Sequence, residues 1–281
     1  MESLLYQISC PESEREACLA LLGQWPFYAF EADEKGWKAY LFQKDKTAGM
    51  DAALRSCMDE RGWTLRTAAQ PLPKENWNAR WEASFQPVRI GDFCGIRAVF
   101  HPSFEPPVLH ELIIQPKMAF GTGHHETTYM MVELMQDLSL QGARVFDYGC
   151  GTGVLAILSA KLGAEEIYAI DIEEAACENT PENAAMNGLE EGKIRVRQGD
   201  LSVLDETGFD FVLANINRGV ILASLPQMKS LLRPAGRLLI SGFLREDEAL
   251  MLSETQKVGF KLLRKAQKGA WLAFELGVEY D

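Results

Sequence analysis

The run Asp147-Tyr148-Gly149-Cys150-Gly151-Thr152-Gly153 sets three glycines at alternate positions, between an apolar stretch that reads as a strand and one that reads as a helix. Glycine reaches backbone angles closed to other residues, so such a turn is sharp and lets a ligand lie against bare main chain. A ligand held there sits at the carboxyl edge of a sheet, beside a helix N-terminus. A tight turn without a ligand is the plain alternative, but that density of glycine is costly without a use. The nicotinamide fingerprint G-x-G-x-x-G needs a third glycine where Val154 stands, and the phosphate loop needs a lysine that this run lacks. What remains is G-x-G-x-G followed by an acid after the next strand, the pattern of S-adenosylmethionine sites. That acid is Asp171, after Ile167-Tyr168-Ala169-Ile170 and 22 residues beyond Gly149. An ionised carboxylate there can accept strong hydrogen bonds from both ribose hydroxyls. Gly149 and Gly151 are therefore expected to contact the cofactor through their backbone. Asp200, after the third strand, is expected near the adenine or, alternatively, is simply solvated.

Asn215 follows the fourth strand in Val212-Leu213-Ala214-Asn215-Ile216-Asn217. Its side-chain oxygen can accept a hydrogen bond from a substrate amine without imposing charge, which makes it the candidate catalytic residue and a cofactor contact. A turn-forming asparagine is the alternative. A second glycine-rich stretch, Met118-Ala119-Phe120-Gly121-Thr122-Gly123-His124-His125-Glu126-Thr127-Thr128, runs into an apparent helix start. Phe120 in so flexible a segment suggests a lid over the methionine portion of the ligand. Thr127 or Thr128 could cap the helix. His124 and His125 suit orienting the loop as well as proton chemistry.

These residues need elements to hold them. From about Gln141 strands alternate with helices, at 143–147, 154–162, 166–170, 173–187, 193–196, 209–214 and 237–241, which argues for a parallel, doubly wound sheet. Segments 261–266 and 271–276, around Lys268-Gly269, read as an antiparallel hairpin finishing that sheet. Upstream, 93–100 and 108–114 read as the two strands of another hairpin. The first 66 residues read β-α-β-β-α-β, the split βαβ order of ferredoxin-like domains. Between the two halves, Gln70-Pro71-Leu72-Pro73 breaks the pattern, and Trp77, Trp81 and Phe85 then form one stripe of a short helix. The expected division is a ferredoxin-like domain over 1–69, a helical connector over 70–86, and a class I Rossmann-like domain over 87–281.

With 281 residues, 47% of them hydrophobic and 24% charged, the chain has the composition of a globular protein and not of a disordered one. A net charge of −12 repels phosphate backbones, so direct nucleic-acid binding is not expected. The first 66 residues are likewise more acidic than basic. No apolar run approaches membrane-spanning length, and Met1-Glu2-Ser3-Leu4-Leu5 does not open like a signal peptide. Six scattered cysteines argue against a disulfide framework and a zinc site, and fit a reduced, cytoplasmic chain. No coiled-coil heptad is visible, and a monomer is expected.

Together these motifs resemble the bacterial ribosomal protein methyltransferase A family, which acts on the eleventh protein of the large ribosomal subunit. The resemblance is carried by Asn76-Trp77-Asn78 with Trp81-Glu82, Pro87-Val88-Arg89-Ile90, Ala119-Phe120-Gly121-Thr122-Gly123-His124 with Thr127-Thr128, and Asp147 to Gly153. Asp171, Asn183-Ala184-Ala185-Met186-Asn187-Gly188 and Ala214-Asn215-Ile216 complete it. It implies S-adenosylmethionine as cofactor, and methylation of lysine side chains and the N-terminal amine, up to three methyls each. It also implies substrate recognition by the ferredoxin-like domain and S-adenosylmethionine-dependent methyl transfer by the class I Rossmann-like methyltransferase domain. By position it implies that Thr128, Gly149, Asp171 and Asn215 meet the cofactor or the reacting centre. The chain departs from the family at Lys117, where glycine is usual, and at Asn217, where leucine is usual. A methyltransferase for RNA or a small molecule, or a non-catalytic module keeping the cofactor fold, would carry the same glycine loop.

Overall fold

The computed structural model describes residues 3–23, 25–68, 86–115 and 126–278. The chain divides into two units, Met1–Ser84 and Phe85–Asp281. Of the connector expected over 70–86, only Gln86 is among the described residues, so the Trp77-Trp81-Phe85 stripe lies outside them.

In the first unit the order is β1 (Ser3–Ser9), α1 (Arg15–Leu22), β2 (Ala29–Asp33), β3 (Gly36–Phe42), α2 (Met50–Asp59) and β4 (Thr64–Ala68). The sheet order is β2-β3-β1-β4 with every neighbouring pair antiparallel, so two βαβ units interleave. Strand side chains alternate between faces. Leu4, Tyr6 and Ile8 of β1 and Ala39 and Leu41 of β3 are buried together with Leu22 of α1 and with Met50, Leu54 and Met58, the four-spaced stripe of α2.

The second unit opens with a three-stranded sheet of β5 (Val88–Ile90), β6 (Cys94–Arg97) and β7 (His110–Ile113). Here the expected hairpin of 93–100 with 108–114 is wrong. β6 pairs antiparallel with β5 through the turn at Gly91-Asp92, and β6 and β7 run parallel. Parallel neighbours need a crossover of about a dozen residues or more, and residues 98–109 supply it. Arg97 and Glu111 shape that crossover. The Arg97 guanidinium donates to Glu111 Oε1 at 2.8 Å and to the His101 carbonyl at 2.9 Å, and the Phe104 N–H donates to Glu111 Oε2 at 3.1 Å.

The large sheet contains β8 (Arg144–Tyr148), β9 (Glu166–Asp171), β10 (Ile194–Gln198), β11 (Phe209–Asn215), β12 (Leu232–Leu244), β13 (Phe260–Lys268) and β14 (Trp271–Val278). Its order is β10-β9-β8-β11-β12-β14-β13. The first five are parallel, and β14 runs antiparallel to both neighbours, as the terminal hairpin reading expects. The helices are α3 (Glu126–Met135), α4 (Val154–Lys161), α5 (Glu174–Met186), α6 (Arg218–Leu231) and α7 (Glu248–Lys257). A sheet covered on both faces is apolar on both. Val145, Ile167, Leu213 and Leu239 join one core with α3 and α4, whereas Phe146, Tyr168, Val212 and Ile240 join a second with α6 and Met251 of α7. No helix among the described residues is long and apolar enough to cross a membrane.

This topology fixes where a ligand can sit. The chain leaves β8 outward to β9 and β10, then crosses back to β11 and β12. The strand order therefore reverses between β8 and β11, and the crevice at the carboxyl ends of those two strands is the switch point of the sheet.

Candidate cofactor and acceptor site

The glycine loop leaves β8 at this crevice. Gly149, Gly151 and Gly153 all have left-handed backbone, at φ +76°, +56° and +80°. At Gly149 a Cβ would stand 2.2 Å from Ile216 Cγ2, and at Gly153 it would stand 2.7 Å from the Thr180 methyl. Two of the glycines are thus required by contact as well as by angle.

Asp171, at the end of β9, lies beside the loop. Its Oδ2 accepts from the Gly151 N–H at 2.9 Å, and its Oδ1 accepts from the Glu173 N–H at 3.0 Å. An ionised carboxylate has about four acceptor positions, so both oxygens retain capacity for ligand hydroxyls. Across the crevice, the register of Ala214 against Tyr148 sets Asn215 next to Gly149. Asn215 Nδ2 donates to Thr128 Oγ1 at 3.1 Å. Thr128 is buried in the first turn of α3, and Asn215 is half-buried. The bond to Thr128 uses one of the amide's two N–H groups and leaves its oxygen to act as an acceptor.

Of the expected site residues, the structure gathers Thr128, Gly149, Gly151, Asp171 and Asn215 around one crevice. Asp200 follows β10 at the same edge of the sheet, exposed, and its side chain accepts from the Ser202 N–H at 2.9 Å. The Ser202 hydroxyl and N–H hold that carboxyl below the usual range. Phe120, His124 and His125 lie outside the described residues, as does Lys117. Asn217 caps α6, accepting from the Val220 N–H at 3.0 Å.

Two further residues have surroundings that a motif reading does not give. Gly242 of β12 has φ +106°, and a Cβ there would fall 1.9 Å from the Ile216 carbonyl oxygen. Ile216 is therefore held between Gly149 and Gly242. A glycine inside a strand marks close backbone approach, and that was the available signal. The second is Asp147, wholly buried at the end of β8. Its Oδ2 accepts from the Ala156 N–H at 3.2 Å, and its Oδ1 has no partner among the described residues. Burial pushes its carboxyl from 3.8 up to about 7, against the Ala156 bond and helped by the charge of Asp171. Its open oxygen is a buried acceptor next to the glycine loop, and nearby positive charge would favour its ionised form. S-adenosylmethionine, with a sulfonium and an ammonium, satisfies both this feature and the bare main chain of the loop.

Comparison with known proteins agrees with that chemistry. The sequence profile described as "Ribosomal protein L11 methyltransferase (PrmA)" matches residues 25–278. A protein of Porphyromonas gingivalis named ribosomal protein L11 methyltransferase is 41% identical over 264 residues, 93% of this chain and 90% of its own. One of the same name from Bacteroides fragilis is 37% identical over 270 residues, 94% of each. The crystal structure of a ribosomal protein L11 methylase from Lactobacillus delbrueckii subsp. bulgaricus superposes with a TM-score of 0.63 at 25% identity, covering 70% of this chain and all of that one. Because the profile runs through both units and takes in each strand end that forms the crevice, the chain belongs to the ribosomal protein L11 methyltransferase family.

Proposed function

We propose that this protein transfers methyl groups from S-adenosylmethionine to lysine side chains and the N-terminal amine of ribosomal protein L11. The observation that carries the reading is the Asn215–Thr128 pair at 3.1 Å, set against the glycine loop at the switch point of the sheet. The cofactor, when bound, supplies a methyl already activated on a sulfonium. The protein's task is then alignment, which can account for much of the barrier reduction.

The backbone of 149–153 and the carboxylate of Asp171 hold the nucleoside end. Asn215 Oδ1 accepts from the acceptor amine and turns its lone pair toward the methyl. A lysine amine near pKa 10.4 is protonated at pH 7, and removing that proton costs about 4–5 kcal/mol. A neutral amide at this position does not stabilise the ammonium as a carboxylate would. The N-terminal unit, a complete α+β fold in its own right, supports the assignment of substrate selection to residues 1–69. An acceptor of this kind would be met in the cytoplasm.

The test is incubation of the purified chain with recombinant ribosomal protein L11 and methyl-labelled S-adenosylmethionine, followed by peptide mass spectrometry. Methyl-sized mass steps on lysines and the N-terminus are expected. Label absent from the protein, or carried on carboxylates or arginines, would overturn the reading.

A further inference from the structure

Helix α5 carries Asn179 and Asn183, and Asn187 follows just beyond its end, so the three share one stripe at a spacing of four. Asn179 and Asn183 are fully buried. Buried amides are costly unless bonded, and these bond to main chain. Asn187 Nδ2 donates to the Ile113 carbonyl at 2.7 Å, and its Oδ1 accepts from the Ile113 N–H at 3.0 Å, so it treats the end of β7 as a neighbouring strand would. Asn179 Nδ2 donates to the Gln115 carbonyl at 3.2 Å.

Asn183 reaches two segments at once. Its Oδ1 accepts from the Gln115 N–H at 2.8 Å, and its Nδ2 donates to the Thr152 carbonyl at 2.8 Å within the glycine loop. On the same helix, Thr180 Oγ1 donates to the Gly151 carbonyl at 3.1 Å. With Asp171 on the Gly151 N–H, three successive peptide planes are each held by a different side chain. Asp171 holds the Cys150–Gly151 plane, Thr180 the Gly151–Thr152 plane and Asn183 the Thr152–Gly153 plane. Peptides flanked by glycine rotate at little steric cost. An unpinned loop would have to be ordered by the ligand, which weakens binding, whereas a pinned loop is preorganised.

We propose that Asn183 and Thr180 are positioning residues that preset the glycine loop for the cofactor, and that Asn183 ties the loop to the segment following β7 at Gln115. The proposal rests on the reading of this loop as the S-adenosylmethionine site.

The experiment compares two equivalent lesions one helical turn apart in the full-length chain. Asn183→Asp keeps an acceptor for Gln115 but puts an oxygen against the Thr152 carbonyl. Asn187→Asp makes the same exchange against Ile113, away from the loop. Thr180→Val removes the Gly151 bond without adding charge. Calorimetric titration with S-adenosylmethionine and thermal melts are recorded for each. Asn183→Asp should weaken binding about tenfold or more, and Thr180→Val about three- to tenfold. Asn187→Asp should lower the melting temperature while changing affinity by less than about threefold. Should Asn183→Asp not fold, the Thr180→Val and Asn187→Asp pair decides. Wild-type affinity in folded Asn183→Asp or Thr180→Val, or equal weakening by Asn187→Asp, overturns the proposal. The wild-type titration comes first, so a chain that binds no cofactor is recognised as failure of the site reading itself.

Discussion

Replacing Asp147 by asparagine should abolish the pH dependence that this one carboxyl imposes on folding. In the native protein burial raises it from 3.8 to about 7, whereas the unfolded chain returns it to about 3.9. Between those values the native state holds a proton that the unfolded state does not. Stability is therefore highest below about pH 4 with respect to this group, and falls by about 1.4 kcal/mol per pH unit until about pH 7. The whole shift corresponds to about 4 kcal/mol, a large part of the 5–15 kcal/mol that holds a domain folded. Asparagine keeps an oxygen for the Ala156 N–H and cannot ionise. The titratable neighbours, Asp171 and Cys150, remain in both proteins, and burial keeps the Cys150 thiol neutral throughout. Urea unfolding of wild type and Asp147→Asn at half-unit steps from pH 5 to pH 8 gives the difference directly. The variant should gain about 2–3 kcal/mol relative to wild type across that range, nearly all of it below about pH 7. Saturating S-adenosylmethionine should flatten the wild-type slope, because cationic charge on the loop favours the ionised carboxyl. A stability difference that stays constant from pH 5 to pH 8 would refute the reasoning, since a buried proton is its sole source.

Asp171→Ala should weaken cofactor binding about tenfold or more, at 1.5–3 kcal/mol for each charged hydrogen bond before water compensates; calorimetry on the folded variant checks it. Asn215→Ala should lower kcat by about one to three orders of magnitude, or 1.4–4 kcal/mol, with a far smaller effect on cofactor affinity. Asn215→Asp should also slow the reaction at neutral pH by stabilising the ammonium form, and single-turnover rates at saturating cofactor report both. Gly242→Ala should cost about 1–3 kcal/mol of stability and most of the activity, because the new methyl meets the Ile216 carbonyl; denaturant melts and initial rates measure the two losses separately. A chain beginning near Pro73 should still bind S-adenosylmethionine but lose transfer to the ribosomal protein, and retention of full transfer would end the division of labour proposed between the units.

Most of the large sheet was readable because its strands are short apolar runs punctuated by glycine and acid, and the edge residues follow those runs directly. Asp171 and Asn215 are singled out by position alone, and the structure places both at the crevice. Helices α6 and α7 were passed over, although Asn217 caps the first of them and Ile221, Leu225 and Met228 form its buried stripe. The pairing of β6 with β7 was misread because an apolar run carries no sign of its partner's direction. Only the crossover, folded by Arg97 and Glu111 from opposite ends, decides that. Asp147 was legible as a letter of the motif but not as a titrating group, since its complete burial comes from the packing of the folded sheet and helices and not from its neighbours in the motif. Gly242 needed the carbonyl of Ile216 beside it to mean anything.

The wedging of Ile216 between Gly149 and Gly242 also bears on the order in which the protein can be made. The loop of 149–153 and its partners in β9 and α5 are complete once the ribosome has released the chain to about residue 190. Asn215 leaves soon after and can line up beside β8 through the register of Ala214 against Tyr148, but Ile216 gains its second wall only when β12 brings Gly242 into place, and β12 in turn has β14 as its outer neighbour. During vectorial synthesis the glycine loop therefore has its partners from β9 and α5 before Ile216 has its last one from β12. The side of the crevice built by the glycine loop is thus complete in sequence earlier than the side that carries Asn215.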